Sequence, residues 1–213
     1  MGDIVNAVDG HPTTKAAWRA AIVAARRAVS RDQRATEAQA LCDHLLAVSR
    51  PGTTVCAYVP VGSEPGSPDL LDALVAVDIR VLLPVAREVA ATPQPLAWGE
   101  YRSGGLVEAP FGLREPDGPW LPPEAIAAAA IVVVPALAVD RRGARLGRGA
   151  GFYDRTLALA DRAAWLVAVV RDDELVDRLP IEEHDVPMTH ALTPGGGLVA
   201  LGPGGRPLRW AID

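Results

Sequence analysis

The chain has little cysteine, few aromatic residues and no surplus of positive charge. Its two cysteines, Cys42 and Cys56, cannot build a disulfide framework, and their spacing matches no metal site. Both are expected as small buried apolar residues. A net charge of −5 argues against a surface built for nucleic acid. Long apolar runs are missing as well. The longest, residues 125–139, contains Pro135 and is too short to cross a membrane. The stretch from Met1 to His11 holds two acids and no apolar run, so no signal peptide is expected. Asn6 stands where a myristoylation signal following Gly2 needs Ser or Thr. A cytoplasmic protein with neither nucleic-acid nor membrane partners is expected. No Gly-Lys-Ser/Thr P-loop follows any glycine run, and no Gly-x-Ser-x-Gly elbow exists.

What is present suits a soluble globular protein. Apolar residues make up 49% of the 213 and charged residues 22%, enough for one domain with a sizeable core. Thr13 or Thr14 can cap a first helix with Trp18, Ile22, Ala25 and Val29 on one face, and a second follows through Leu41, Leu45 and Leu46. Residues 53–61, 79–85, 95–101, 131–134 and 164–170 read as strands, many of them β-branched. Between them lie a helix through Leu70 and Leu74, a short alanine-rich helix opened by Pro122-Pro123-Glu124, and a helix from Phe152 to about Arg162. Leu198–Leu201 and Pro207–Ile212, separated by glycines, resemble a terminal hairpin. Strands alternating with helices predict an α/β fold: one three-layer domain over 1–213, a largely parallel central sheet with helices on both faces and a C-terminal hairpin, and residues 1–12 flexible.

The most informative segment is Arg145-Leu-Gly-Arg-Gly-Ala-Gly-Phe-Tyr-Asp154. Glycines at every second position free the backbone to approach a ligand, and successive N–H groups before a helix form a concave anion site. Arg145 and Arg148 add charge-assisted donors. A dinucleotide fingerprint is a rival, with Asp172 or Asp173 as its acid. The spacing is Gly-x-Gly-x-Gly, though, and that fingerprint has no place for the arginines. A structural turn is a second rival.

The remaining candidates are weaker alone. Lys15 and Arg19 lie one helical turn apart, and with Arg26 and Arg27 nearby the plainer reading is a solvated basic face. Glu64, past a strand end, could accept paired N–H donors from a heterocycle, or be an exposed loop acid. Asp154 suits both a helix dipole and Mg²⁺ beside a phosphate. His184 and Asp185 are adjacent and do not make a hydrolase dyad.

Together these residues carry a family resemblance. Val133-Val-Pro-Ala-Leu-Ala-Val-Asp140 followed by Gly143-Ala-Arg-Leu-Gly-Arg-Gly-Ala-Gly-Phe-Tyr-Asp-Arg155 resembles the signature of the 5-formyltetrahydrofolate cyclo-ligases. Lys15-x-x-x-Arg19, Tyr58 to Glu64, Phe111-Gly-Leu-Arg-Glu-Pro116 and His184-Asp-Val-Pro187 resemble further elements of that family, in order. The resemblance implies a ligase that closes 5-formyltetrahydrofolate to 5,10-methenyltetrahydrofolate with ATP and Mg²⁺, through a phosphorylated formyl group. It implies ATP binding by Lys15, Arg19 and Arg145, Leu146, Gly147, Arg148, Gly149, Ala150, Gly151, Phe152 and Tyr153. Substrate contacts fall to Val59, Glu64, Arg148, Gly149, Gly151 and Phe152, catalytic roles to Arg148 and Tyr153, and the metal to Asp154 and Asp185. The family often has a second acid shortly after the late Asp-x-Pro; here Met188-Thr189-His190 stands there, so Thr189 is expected to contribute little or through water. Partners are expected to be small molecules, the protein a monomer or weak homodimer. The alternative is a folate- or nucleotide-binding protein with the same pocket and no turnover.

Overall fold

The computed structural model describes residues 12, 14–180 and 185–202. Thr14 caps helix α1 (Lys15–Arg27), accepting from the Ala17 N–H at 3.2 Å. Such a cap contributes about 1 kcal/mol. Ser30 does the same for α2 (Arg31–Val48). Then follow β1 (Thr54–Cys56), α3 (Asp69–Ala76), β2 (Arg80–Val85), β3 (Ala97–Glu100), β4 (Trp120–Leu121), β5 (Ile131–Pro135), α4 (Phe152–Thr156), β6 (Trp165–Val169), β7 (His190–Thr193) and β8 (Gly197–Ala200). These eight strands form one sheet in the order β8-β7-β6-β5-β1-β2-β3-β4. The run from β7 to β2 is parallel, while β8, β3 and β4 pair antiparallel. The expected largely parallel sheet is therefore mixed at its edges.

Alternation along the strands divides the core. Val81, Leu83, Ile131, Val133 and Val167 join Leu41, Leu45, Leu71 and Leu74 of α2 and α3. Leu82, Val132, Val134, Leu166 and Ala168 join Ile126, Leu157 and Met188. Parallel strands sealed on both sides read as continuous apolar runs, as residues 131–134 do. A third cluster packs Trp18 and Ile22 of α1 against Ala138, Ala144 and Leu146, which hangs the start of α1 over the sheet's carboxyl edge.

Several elements are shorter than the sequence suggests. The strand expected over 53–61 ends at Cys56, and Tyr58–Glu64 leaves as a loop through Pro60 and Gly62, whose φ is +64°. The alanine-rich segment is a 3-10 helix, Pro123–Ala128. The helix expected to reach Arg162 stops at Thr156, whose hydroxyl bonds the Phe152 carbonyl and accepts from the Leu96 N–H. β8 pairs back onto β7. The partner expected for it, Pro207–Ile212, lies outside the described residues, as do Thr13, residues 1–11 of the segment expected to be flexible, and His184.

Candidate active site

The carboxyl ends of β5, β1 and β2 open into a cleft of about 1050 Å³. Ligands of open parallel sheets bind at this edge. All the site residues taken from the sequence line it: Lys15, Arg19, Val59, Glu64, the run Arg145–Asp154 and Asp185.

The glycine loop is held by a buried acid. Asp140 accepts the Arg142 and Ala144 N–H groups at 2.9 Å each on one oxygen and the Leu179 N–H at 3.0 Å on the other. Residues 138–140 pair antiparallel with 145–146 and parallel with 175–176, so the arginine that starts the loop is fixed by backbone ladder. Gly143 makes the turn at φ +97°, and a Cβ there would collide with the Met188 carbonyl oxygen. Gly143→Ala is expected to lower folding stability by roughly 1–3 kcal/mol, read from chemical denaturation. Gly149 (φ +95°) and Gly151 (φ +79°) then take the left-handed backbone that only glycine adopts without strain.

The cations around the glycine loop are matched to oxygens. The Arg19 Nε donates to the Gly147 carbonyl at 2.9 Å. Arg145 donates to Asp154 at 2.7 Å, reaches the Pro135 carbonyl at 3.4 Å, and stands 5.6 Å from the Tyr153 ring centroid. Lys15 pairs with Asp185 at 3.0 Å. Arg148 pairs with Glu64 at 3.0 Å and reaches the Val61 carbonyl at 3.3 Å. Glu64 is no exposed loop acid: it also accepts the Val61 N–H at 2.9 Å and its side chain is 11% exposed. The Tyr153 hydroxyl is buried with no hydrogen-bond partner. Burial first, then the negative charge of Glu64, push its pKa upward, against an opposing pull from Arg145. Tyr153 stays protonated at neutral pH.

A loop of left-handed glycines interleaved with arginines thus faces a carboxylate on the β1 loop across one cleft. Residues 12–194 match the 5-formyltetrahydrofolate cyclo-ligase family. The chain belongs to that family. It is 60% identical over 191 residues to a 5-formyltetrahydrofolate cyclo-ligase of Mycolicibacterium smegmatis, covering 89% of this chain and 98% of that protein. Identity to the 5-formyltetrahydrofolate cyclo-ligase of Escherichia coli K12 is 30% over 142 residues, 66% of this chain and 78% of that protein. Among solved structures, the NMR structure of Aquifex aeolicus 5,10-methenyltetrahydrofolate synthetase has a TM-score of 0.71 at 24% identity, over 88% of this chain and 92% of that one. The Mycoplasma pneumoniae 5,10-methenyltetrahydrofolate synthetase has 0.64 at 20%, over 83% and 96%. Both likenesses speak to the fold, a mixed α/β sheet with helices. The expectation of a ligase-family enzyme is met.

Where this cyclo-ligase family member lacks the late acid, the chain is part of the core. Thr189 spends its hydroxyl on the Leu166 N–H at 2.9 Å and on His190 Nδ1 at 2.9 Å, and Thr189 does not line the cleft. Its neighbours Met188 and His190 are buried. Burial lowers the His190 pKa from 6.5 to about 4, because the charged ring is poorly solvated beside Trp165. Its folded pKa lies below its unfolded one, so the unfolded chain binds the extra proton between pH 6.5 and 4, and stability falls as pH drops through that window. The expected loss is about 2–3 kcal/mol; unfolding curves at pH 7.5 and 4.5 for wild type and His190→Gln check it, the variant showing the smaller difference.

Asp154 and Asp185 border the cleft as oxygen donors. Mg²⁺ usually takes one or two carboxylates and completes its shell with phosphate oxygens and water, a donor type both residues have, though each is paired here with a cation, Arg145 and Lys15. No cluster of three or more His, Cys, Asp or Glu among the described residues could hold a metal alone. The dinucleotide rival finds no acid in the cleft: Asp172 is committed to the Gly195 and Gly196 N–H groups at 2.9–3.2 Å, Asp173 is exposed beside Arg171, and neither lines the cleft. The two cysteines are free and buried, as expected.

Two features were not anticipated. Arg26, grouped above with a solvated basic face, is 1% exposed. It makes a two-point pair with Glu174 at 2.6 and 2.7 Å and holds the Ala136 carbonyl at 2.6 Å. Arg114 lines the far end of the cleft. Arg26 sits at helical spacing from Trp18 and Ile22, a signal that its face of α1 turns inward.

Proposed function

We propose that this protein joins 5-formyltetrahydrofolate and ATP in the cleft, closing the folate to 5,10-methenyltetrahydrofolate with release of ADP and phosphate. The observation that carries this reading is the Arg148–Glu64 pair at 3.0 Å, which sets a ring-reading carboxylate beside the phosphate-reading loop. The cleft volume suits two ligands rather than one.

The formyl oxygen is a poor leaving group. Its attack on the γ-phosphorus breaks the bond to the β-phosphate oxygen, ADP departs, and the formyl carbon becomes an iminium phosphate. The N10 lone pair then attacks that carbon, the C–O bond breaks, phosphate leaves, and the N10 proton is lost. The protein's work is positioning and charge stabilisation. Arg145 through Tyr153 wrap the triphosphate, with Lys15 and Arg19 neutralising it. Arg148 faces the transferring phosphoryl group. Glu64 orients the pterin, with Val59, Gly149, Gly151 and Phe152 along its faces. Tyr153, kept protonated by burial, serves as a neutral wall of the phosphoryl pocket. Asp154 and Asp185 would hold Mg²⁺, which when bound would neutralise phosphate charge. In the same reading, residues 1–213 are one three-layer domain, cytoplasmic, a monomer or weak homodimer, with only small-molecule partners.

Mixing the protein with 5-formyltetrahydrofolate, ATP and Mg²⁺ tests this. The near-ultraviolet absorbance of the conjugated methenyl product should rise only when ATP is present. Binding of both ligands without that rise would instead establish a binding protein.

A further inference from the structure

We propose that Arg114 receives a glutamyl carboxylate of the folate tail, which makes it the residue that selects for the amino-acid end of the substrate. This rests on the function proposed above.

The order of groups along the sheet edge supports it. β5 leads to the phosphate-reading loop, β1 to Glu64, and β2 to Ala86 and Glu88, all lining one cleft. Neighbouring strands lie about 4.8 Å apart, so the β2 end is roughly 10 Å from the β5 end. Arg114 is pinned over the β2 end by its neighbour: buried Glu115 accepts the Ala86 N–H at 2.8 Å and the Arg87 guanidinium at 2.8 Å. With the pterin at Glu64 and its formyl group toward the loop, the rest of the molecule runs toward β2. Leu113 and Arg114 line the cleft together, and the half-buried Leu113 offers an apolar contact for a phenyl ring beside that arginine. The other cleft arginines and Lys15 are matched to an oxygen of the protein. Arg114 is exposed; Glu108 stands directly across from it on the paired strand, without an ion pair between them among the described residues.

The test pairs Arg114→Ala and wild type with two substrates, 5-formyltetrahydrofolate and 5-formyltetrahydropteroate, which lacks the glutamate. For wild type, removing the glutamate should raise KM about 10-fold, the lower end for a charge-assisted contact because this arginine is exposed. Arg114→Ala should show about the same rise with the full substrate, no further rise with the truncated one, and kcat and the ATP KM within about twofold of wild type. A variant that loses equally on both substrates, or a wild type indifferent to the glutamate, overturns the proposal. A wild type that turns over neither substrate overturns the proposed function itself, and this proposal with it.

Discussion

Replacing Arg148 with alanine should cut kcat about 10²- to 10³-fold, the usual loss when one preorganised donor to developing charge is removed. Its guanidinium is paired with Glu64 at 3.0 Å, where the proposed function brings the incoming folate and the γ-phosphate together. Before ligands bind, the pair holds a half-exposed arginine beside Glu64; an anion of greater charge than a carboxylate can then draw it away. Lys15, Arg19 and Arg145 still neutralise the triphosphate, so the ATP KM should change far less than kcat. Arg148→Lys should recover only part of the rate, since an ammonium lacks the planar fork that spans two oxygens. Steady-state rates at saturating folate and ATP read this directly. An unchanged kcat would remove Arg148 from the phosphoryl step.

The second large effect lies beneath the site. Arg26→Met should destabilise the fold by about 3–5 kcal/mol, because Glu174, itself buried, keeps its charge and loses its partner. For a chain of this size that corresponds to a fall in Tm of roughly 10 °C. Met fills much of the same volume, so little of the loss comes from a cavity. The pair fastens α1 to Ala136 at the β5 end and to the segment after β6, and α1 is the helix that brings Lys15 and Arg19 to the cleft. The double variant Arg26→Met/Glu174→Leu should regain much of the stability, since no buried charge is left alone. Thermal unfolding of the two proteins checks both statements.

The sequence displays the site better than the frame beneath it. Glycines alternating with arginines are a local signal, complete within ten residues, and the structure brings every candidate it suggested into one cleft. The sequence pattern likewise located four of the five parallel strands; the fifth, β7, is only four residues long and lies in a segment that looks like Pro- and Gly-rich loop. What it could not reach depends on partners far away. Arg26 looks solvated beside Arg27 because Glu174 and Ala136 are over a hundred positions distant. Thr189 looks like a replaced metal ligand until its hydroxyl is seen bonded to the neighbouring strand. The helix after the loop looks long because nothing local announces that Thr156 will be drawn to Leu96. The direction of β3 follows from its pairing with β2, which no pattern within the strand encodes.

Phosphorylation of the formyl oxygen is the step on which the roles of Arg148, Glu64 and the glycine loop all depend. The most direct test uses 5-formyltetrahydrofolate carrying ¹⁸O in the formyl group, turned over once with ATP, followed by mass analysis of the released phosphate. One ¹⁸O in the inorganic phosphate is the predicted result. Label appearing in water, with unlabelled phosphate, would mean that the oxygen leaves without being phosphorylated and would contradict the mechanism.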